Sequence, residues 1–144
     1  MLHDKSSPRA VALYLLSQVL ERGRALPDLL EANPQLALMS ARDRRFAHLL
    51  VLTVLRRLGQ LDDLIDRKLD DPQLGGAKAG RITRNILRLG VAQLIFLKTP
   101  PHAAVDSSVV LAESKQVRRF KKLVNAVLRR ISETGLTEVN SQDA

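Results

Sequence analysis

The chain has 144 residues, with 23 Lys or Arg against 15 Asp or Glu for a formal charge of +8, 45% apolar and 3% aromatic residues, and no cysteine. That length suits one ordinary domain with a core of its own, and the absence of thiols excludes disulfides, thiolate metal sites and cysteine nucleophiles while agreeing with a reducing, cytoplasmic address. The polar stretch Met1 to Pro8 lacks the apolar centre of a secretory signal, and the longest strongly apolar run, near Leu49 to Leu55, falls far short of the roughly 20 residues that span a bilayer.

In chain order, Ser7-Pro8 is a helix start, a side-chain cap followed by a residue with no N–H to satisfy. Val11, Ala12, Leu15, Leu16 and Val19 then recur at helical spacing as far as Arg22, and Gly23 terminates the helix. A short helix is expected between Pro27 and the Asn33-Pro34 break. Ser40-Ala41-Arg42-Asp43 resembles a capping box and opens a long apolar helix ending at Gly59. Leu61, Leu64, Ile65 and Leu69 mark a shorter amphipathic helix, closed by Asp70-Asp71-Pro72, with Gly75, Gly76 and Gly80 read as turn residues.

From about Arg81 to Leu97 a helix apolar on several sides is predicted to be central. Thr99-Pro100-Pro101 breaks it, and Ala103 to Lys115 forms a small-residue helix suited to close packing. The last helix is expected over about Val117 to Ser132. Glu133 to Ala144 reads as a linker or frayed tail, so the domain proper is residues 1–132. No period-two segment appears, and the fold class is all-α.

Charge is distributed unevenly. Residues 1–72 carry 11 Lys or Arg against 10 Asp or Glu, a net of +1, whereas residues 73–144 carry 12 against 5, a net of +7. Such asymmetry points to a polyanion at one face. Lys115 to Arg130 holds Lys115, Arg118, Arg119, Lys121, Lys122, Arg129 and Arg130 and no acidic residue. On a helical wheel Phe120, Leu123, Val124, Val127, Leu128 and Ile131 share one face, with Arg118, Lys122 and Arg129 nearly opposite, so one helix both docks and presents cations. Arg81, Arg84 and Arg88 form a second stripe that would extend this RNA-binding surface. The plainer alternative for both stripes is a solvated helix face.

Asn125 on the flank of the last helix could reach a base edge or, equally, cap a neighbour within the bundle. The four aromatics, Tyr14, Phe46, Phe96 and Phe120, are read as core, leaving recognition to backbone and shape contacts. His3, His48 and His102 lack metal-ligand spacing, and no metal is assigned. Asp62, Asp63 and Asp66, with no basic partner in view, are read as solvated.

The segments Leu87 to Leu94, Pro100-Pro101-His102-Ala103-Ala104-Val105-Asp106 and Leu123-Val124-Asn125-Ala126-Val127-Leu128-Arg129-Arg130 resemble the NusB superfamily. Pro8 to Ala12, Arg42-Asp43-Arg44 and Val54 to Leu58 are most similar to the N-terminal domain of RsmB-type ribosomal RNA cytosine-C5 methyltransferases. The resemblance implies a bundle of about seven helices in two packed three-helix subbundles. It also implies a role in engaging small-subunit ribosomal RNA for a C-terminal methyltransferase domain. In that family the cysteine nucleophile and S-adenosylmethionine belong to the separate α/β domain, so catalysis and cofactor are expected beyond Ala144 and the present chain is expected to be non-catalytic.

The alternative within the superfamily is a transcription antitermination factor that binds boxA-type RNA and a ribosomal protein. Family members of that kind present an arginine-rich first helix, where this chain offers Lys5 and Arg9 before Arg22. A helical protein-interaction module with an acidic partner is a third reading.

Overall fold

The computed structural model describes residues 6–69 and 74–143, with side chains described as far as Thr134. Among these residues run eight α-helices: α1 Pro8–Arg22, α2 Leu26–Ala32, α3 Pro34–Leu38, α4 Ala41–Arg56, α5 Leu58–Lys68, α6 Lys78–Ile95, α7 Pro101–Leu111 and α8 Lys121–Asp143. A single 3₁₀ turn, Arg118–Phe120, precedes α8, and no strand occurs among the described residues. The all-α expectation holds.

Several end signals act as their chemistry dictates. The Ser7 hydroxyl accepts from the Ala10 amide at 3.1 Å and the Ser40 hydroxyl from the Asp43 amide at 3.2 Å. At the other end of α1 the Gly23 N–H bonds the Val19 carbonyl at 3.1 Å and the Arg24 N–H the Gln18 carbonyl at 3.2 Å, which closes the helix.

Elsewhere the structure corrects the sequence reading. Asn33 serves two helices: its N–H bonds the Leu29 carbonyl at 3.1 Å, and its side chain accepts from the Leu36 amide at 3.0 Å. The Asn33-Pro34 break therefore opens a further helix, α3, with Pro34 at its start. The interruption between α4 and α5 falls at Arg57, whose φ of −113° and ψ of 19° leave the helical region, and Gly59 lies inside α5. Helix α6 begins at Lys78 and α7 at Pro101, both ahead of the expected starts. Residues 118–120 form the 3₁₀ turn, and α8 runs from Lys121 through Asp143, past the expected helix end near Ser132. Asp70, Asp71 and Pro72 lie outside the described residues.

Gly80 is not a turn residue. It sits in the first turn of α6, where a Cβ would stand 1.7 Å from the Leu74 carbonyl oxygen, so the preceding loop crosses the helix where only glycine leaves room.

Helix α6 packs against α1, α4, α5, α7 and α8, which makes it the axis of the molecule. Helices α6, α7 and α8 close on one another as one group. A Cβ at Gly90 would lie 2.8 Å from both Ser108 Oγ and Leu128 Cδ1, and its absence lets α7 and α8 approach α6. Helix α1 pairs with α4, flanked by α2 and α3, and α5 bridges α6 and α8. The buried core is aliphatic, with Phe120 its single aromatic member among the described residues. No described helix is long and apolar enough to cross a membrane.

Candidate nucleic-acid interface

The basic run enters the structure as a turn and then a helix. Val117, fully buried, and Phe120, 9% exposed, anchor the turn in the core. Arg118 and Arg119 between them are thereby left at the surface. Arg118 Nε donates to the Glu113 carbonyl at 3.2 Å, and Lys121 Nζ lies 3.4 Å from Glu113 Oε1. Both cations are thus fixed beside one carboxylate-bearing residue. Along α8, Val124, Val127, Leu128 and Ile131 are buried while Lys122 and Arg129 are exposed, as the wheel predicts, and Arg130 is exposed beside them.

Lys115, Arg118 and Lys121 line a groove of about 1130 Å³ whose other walls come from α1, α2, α3 and the start of α6. Arg22, Arg24 and Lys78 line the same groove, so six cations face two carboxylates, Glu21 and Glu113. Arg24 Nη1 donates to Gln18 Oε1 at 3.3 Å, which holds the residue after the Gly23 turn against α1. Arg81 Nε reaches Glu21 Oε1 at 3.3 Å, and Arg81 Nη1 donates to the Gly76 carbonyl. Excess positive charge in a concave site of this kind raises the local concentration of an anionic partner.

Tyr14 also lines the groove and is 49% exposed, contrary to its reading as core. Its ring supplies one aromatic surface within reach of the cations. The other two rings read as core, Phe46 and Phe96, are partly buried. The guanidinium of Arg9 lies 4.9 Å from the Phe46 centroid and that of Arg57 lies 4.6 Å from the Phe96 centroid.

The remaining expected site residues take different places. Arg119 rests 4.9 Å over the ring of Phe120. Asn125 accepts from Arg129 Nε at 3.1 Å, on the α8 face outside the groove. Arg130 Nη1 donates to the Lys68 carbonyl at 3.0 Å, so it caps the end of α5. Lys122 is exposed on the outer side of α8 and Lys5 lies outside the described residues.

Arg84 and Arg88 do not stand as a free stripe. Arg88 makes a forked contact with Asp62, and Arg84 Nη2 lies 2.8 Å from Asp66 Oδ1 and Arg84 Nη1 3.4 Å from Asp62 Oδ1. Asp62 and Asp66, read as solvated, are partners in a clamp between α5 and α6. Arg9 Nε donates to Gln93 Oε1 at 2.8 Å beneath the cation–π contact. Its burial lowers the guanidinium pKa through desolvation, yet an arginine so placed stays charged at neutral pH.

Arg22, Arg24 and Lys78 were missed because they come from separate elements and form no run. The legible signal was Gly23, since a helix closed by a reversing turn places the flanking Arg22 and Arg24 together at its end. No group of metal-ligating side chains occurs among the described residues.

The NusB family model matches residues 6–133 of this chain. A ribosomal RNA small subunit methyltransferase B from Escherichia coli O157:H7 (strain EC4115 / EHEC) is 34% identical, with the match covering 94% of this chain and 31% of that protein. The chain thus spans about a third of the length of the curated relatives it matches. Among solved structures, T. maritima NusB superposes with a TM-score of 0.74 at 24% identity, covering 93% of this chain and 94% of that one. A chain from a crystal structure of the antitermination factors NusB and NusE in complex with double-stranded RNA superposes with a TM-score of 0.73 at 30% identity, covering 92% of this chain and 98% of that one.

Proposed function

This chain belongs to the NusB family, and we propose that it is the RNA-binding domain of a ribosomal RNA cytosine-C5 methyltransferase, engaging small-subunit ribosomal RNA in the cytoplasm through its basic groove. The observation that carries the reading is the convergence of Arg22, Arg24, Lys78, Lys115, Arg118 and Lys121, from three separate stretches of the chain, on one concave surface. Cations so gathered neutralise several phosphates at once and release their counterions, which is the dominant source of affinity for RNA.

Similarity to the methyltransferases supports assigning the domain a recognition role. The chain contributes no cysteine, and the described residues form no strand of the α/β kind that would cradle S-adenosylmethionine. The thiol nucleophile and the cofactor belong on this reading to a C-terminal methyltransferase domain.

The test is the affinity of the domain for a small-subunit ribosomal RNA fragment, measured by fluorescence anisotropy, for the wild type and for Lys115→Ala, Arg118→Ala, Lys121→Ala combined. Loss of about three phosphate contacts should weaken binding by one to two orders of magnitude at moderate salt, roughly uniformly across sequences. Unchanged affinity in a folded variant would remove the groove from the interface.

A second reading, an antitermination factor with a ribosomal protein partner, is favoured by the likeness to the NusB chain solved with NusE and double-stranded RNA. It demands tight, sequence-dependent binding of boxA RNA. The packing of Arg9 against Phe46 and Gln93 leaves α1 without a free arginine-rich start among the described residues, which favours the first reading.

A further inference from the structure

A second groove, of about 1160 Å³, lies between the start of α1, the first half of α4 and the link from α6 to α7. It shares no lining residue with the first. Its apolar lining includes Phe46, Leu49, Leu52 and Leu97, and Leu49 is 46% exposed. Arg9, Arg42, Arg45 and Lys98 supply positive charge around it, against the single carboxylate of Asp43. Arg42, Arg45 and Lys98 make no ion pair among the described residues.

Arg42, Arg45, Leu49 and Leu52 fall three or four residues apart along α4, so cations and leucines form one continuous stripe on that helix. Lys98 adds its charge from a backbone with φ of 54°, a left-handed conformation that few lysines adopt. That turn closes α6, with the Thr99 N–H on the Gln93 carbonyl at 2.9 Å, and sets Lys98 at the rim of the groove.

We propose that this second groove docks an acidic protein segment in which leucine or phenylalanine side chains sit between carboxylates. Charge complementarity names the occupant: the apolar side chains cover Leu49, Leu52 and Leu97 while the carboxylates meet Arg42, Arg45 and Lys98. RNA fits this surface less well. It would leave the leucines facing sugar and phosphate, and the one phenyl ring present, Phe46, already carries Arg9 on its face, which leaves the imidazole of His48 as the other ring of the lining. Because the two grooves are separate, RNA and the acidic segment can bind together.

The full chain, labelled with ¹⁵N, is titrated with a short synthetic peptide alternating Leu or Phe with Asp and Glu. A peptide with Asn in place of Leu and Phe, and oligouridine, are titrated in parallel. The acidic apolar peptide should perturb amides around Leu49 and Lys98. Its affinity should fall about tenfold or more in Leu49→Asn and in Arg42→Glu, Arg45→Glu, and stay unchanged in Arg118→Ala, Lys121→Ala. All three substituted side chains in those first two variants are exposed, and the charge reversal tests the site even if the Leu49 variant loses its fold. Failure of the peptide to bind, equal binding by the Asn peptide, or perturbation of the same amides by oligouridine alone would overturn the proposal.

Discussion

Arg88 and Asp62 meet in a fork, with Nε donating to Oδ1 and Nη2 to Oδ2, both at 2.8 Å. The side chains are 15% and 28% exposed, so the pair is partly withdrawn from water. Arg88 Nη1 also donates to Asn85 Oδ1 at 2.8 Å, and Asn85 Nδ2 donates to Ser17 Oγ at 3.2 Å. One guanidinium thereby links α5, α6 and α1. Planar two-point pairing of this kind is specific to arginine.

Asp62→Asn keeps the shape of the site and removes the countercharge, leaving Arg88 shielded from water without an anion. The expected loss is about 2 kcal/mol, below the cost of breaking a fully buried pair because water still reaches both partners. Urea unfolding should show a lower midpoint with an unchanged slope. Since Asp62 and Asp66 already neutralise them, Arg84→Ala and Arg88→Ala should each leave RNA affinity within about twofold, whereas Arg118→Ala should not.

Gly80 admits no side chain without moving the Leu74 backbone. Gly80→Ala should destabilise the domain by about 1 to 3 kcal/mol, the range of overpacking, despite alanine's better helix propensity. Thermal unfolding followed by circular dichroism checks this, and a more stable variant would mean that the loop before α6 relaxes freely.

Tyr14 is the aromatic surface in the basic groove, and a base stacked on it would contribute about 1 to 3 kcal/mol. Tyr14→Leu should therefore weaken binding of single-stranded RNA by at least about fivefold while changing affinity for duplex RNA little. Equal effects on both would assign Tyr14 to packing.

Much of this was legible in the chain because it depends on local chemistry. Ser7, Pro8 and Gly23 delimit α1, Ser40 starts α4, and the apolar face of α8 follows from its period. Helix α3 was hidden because five residues are too few to display a period, and its cap, Asn33, also ends α2. The site was only half visible. A contiguous run such as Lys115 to Lys122 announces itself, but Arg22, Arg24 and Lys78 join it only after the helices pack. The stripe of Arg81, Arg84 and Arg88 illustrates the converse. Its spacing was real, yet whether a cation is free depends on which carboxylates α5 brings across, and the paired carboxylates of Asp66 and Asp62 lie 18 to 26 residues away in sequence.

The account stands most directly on the salt dependence of RNA binding. The logarithm of the association constant of the wild-type domain for a small-subunit ribosomal RNA fragment should fall linearly with the logarithm of salt concentration. For Arg22, Arg24, Lys78, Lys115, Arg118 and Lys121 acting together the slope should be about −4 to −5, and each alanine substitution among them should reduce its magnitude by about 0.7 to 1. A slope near zero, or one that persists when all six are replaced in a folded variant, would contradict the assignment of this groove to RNA.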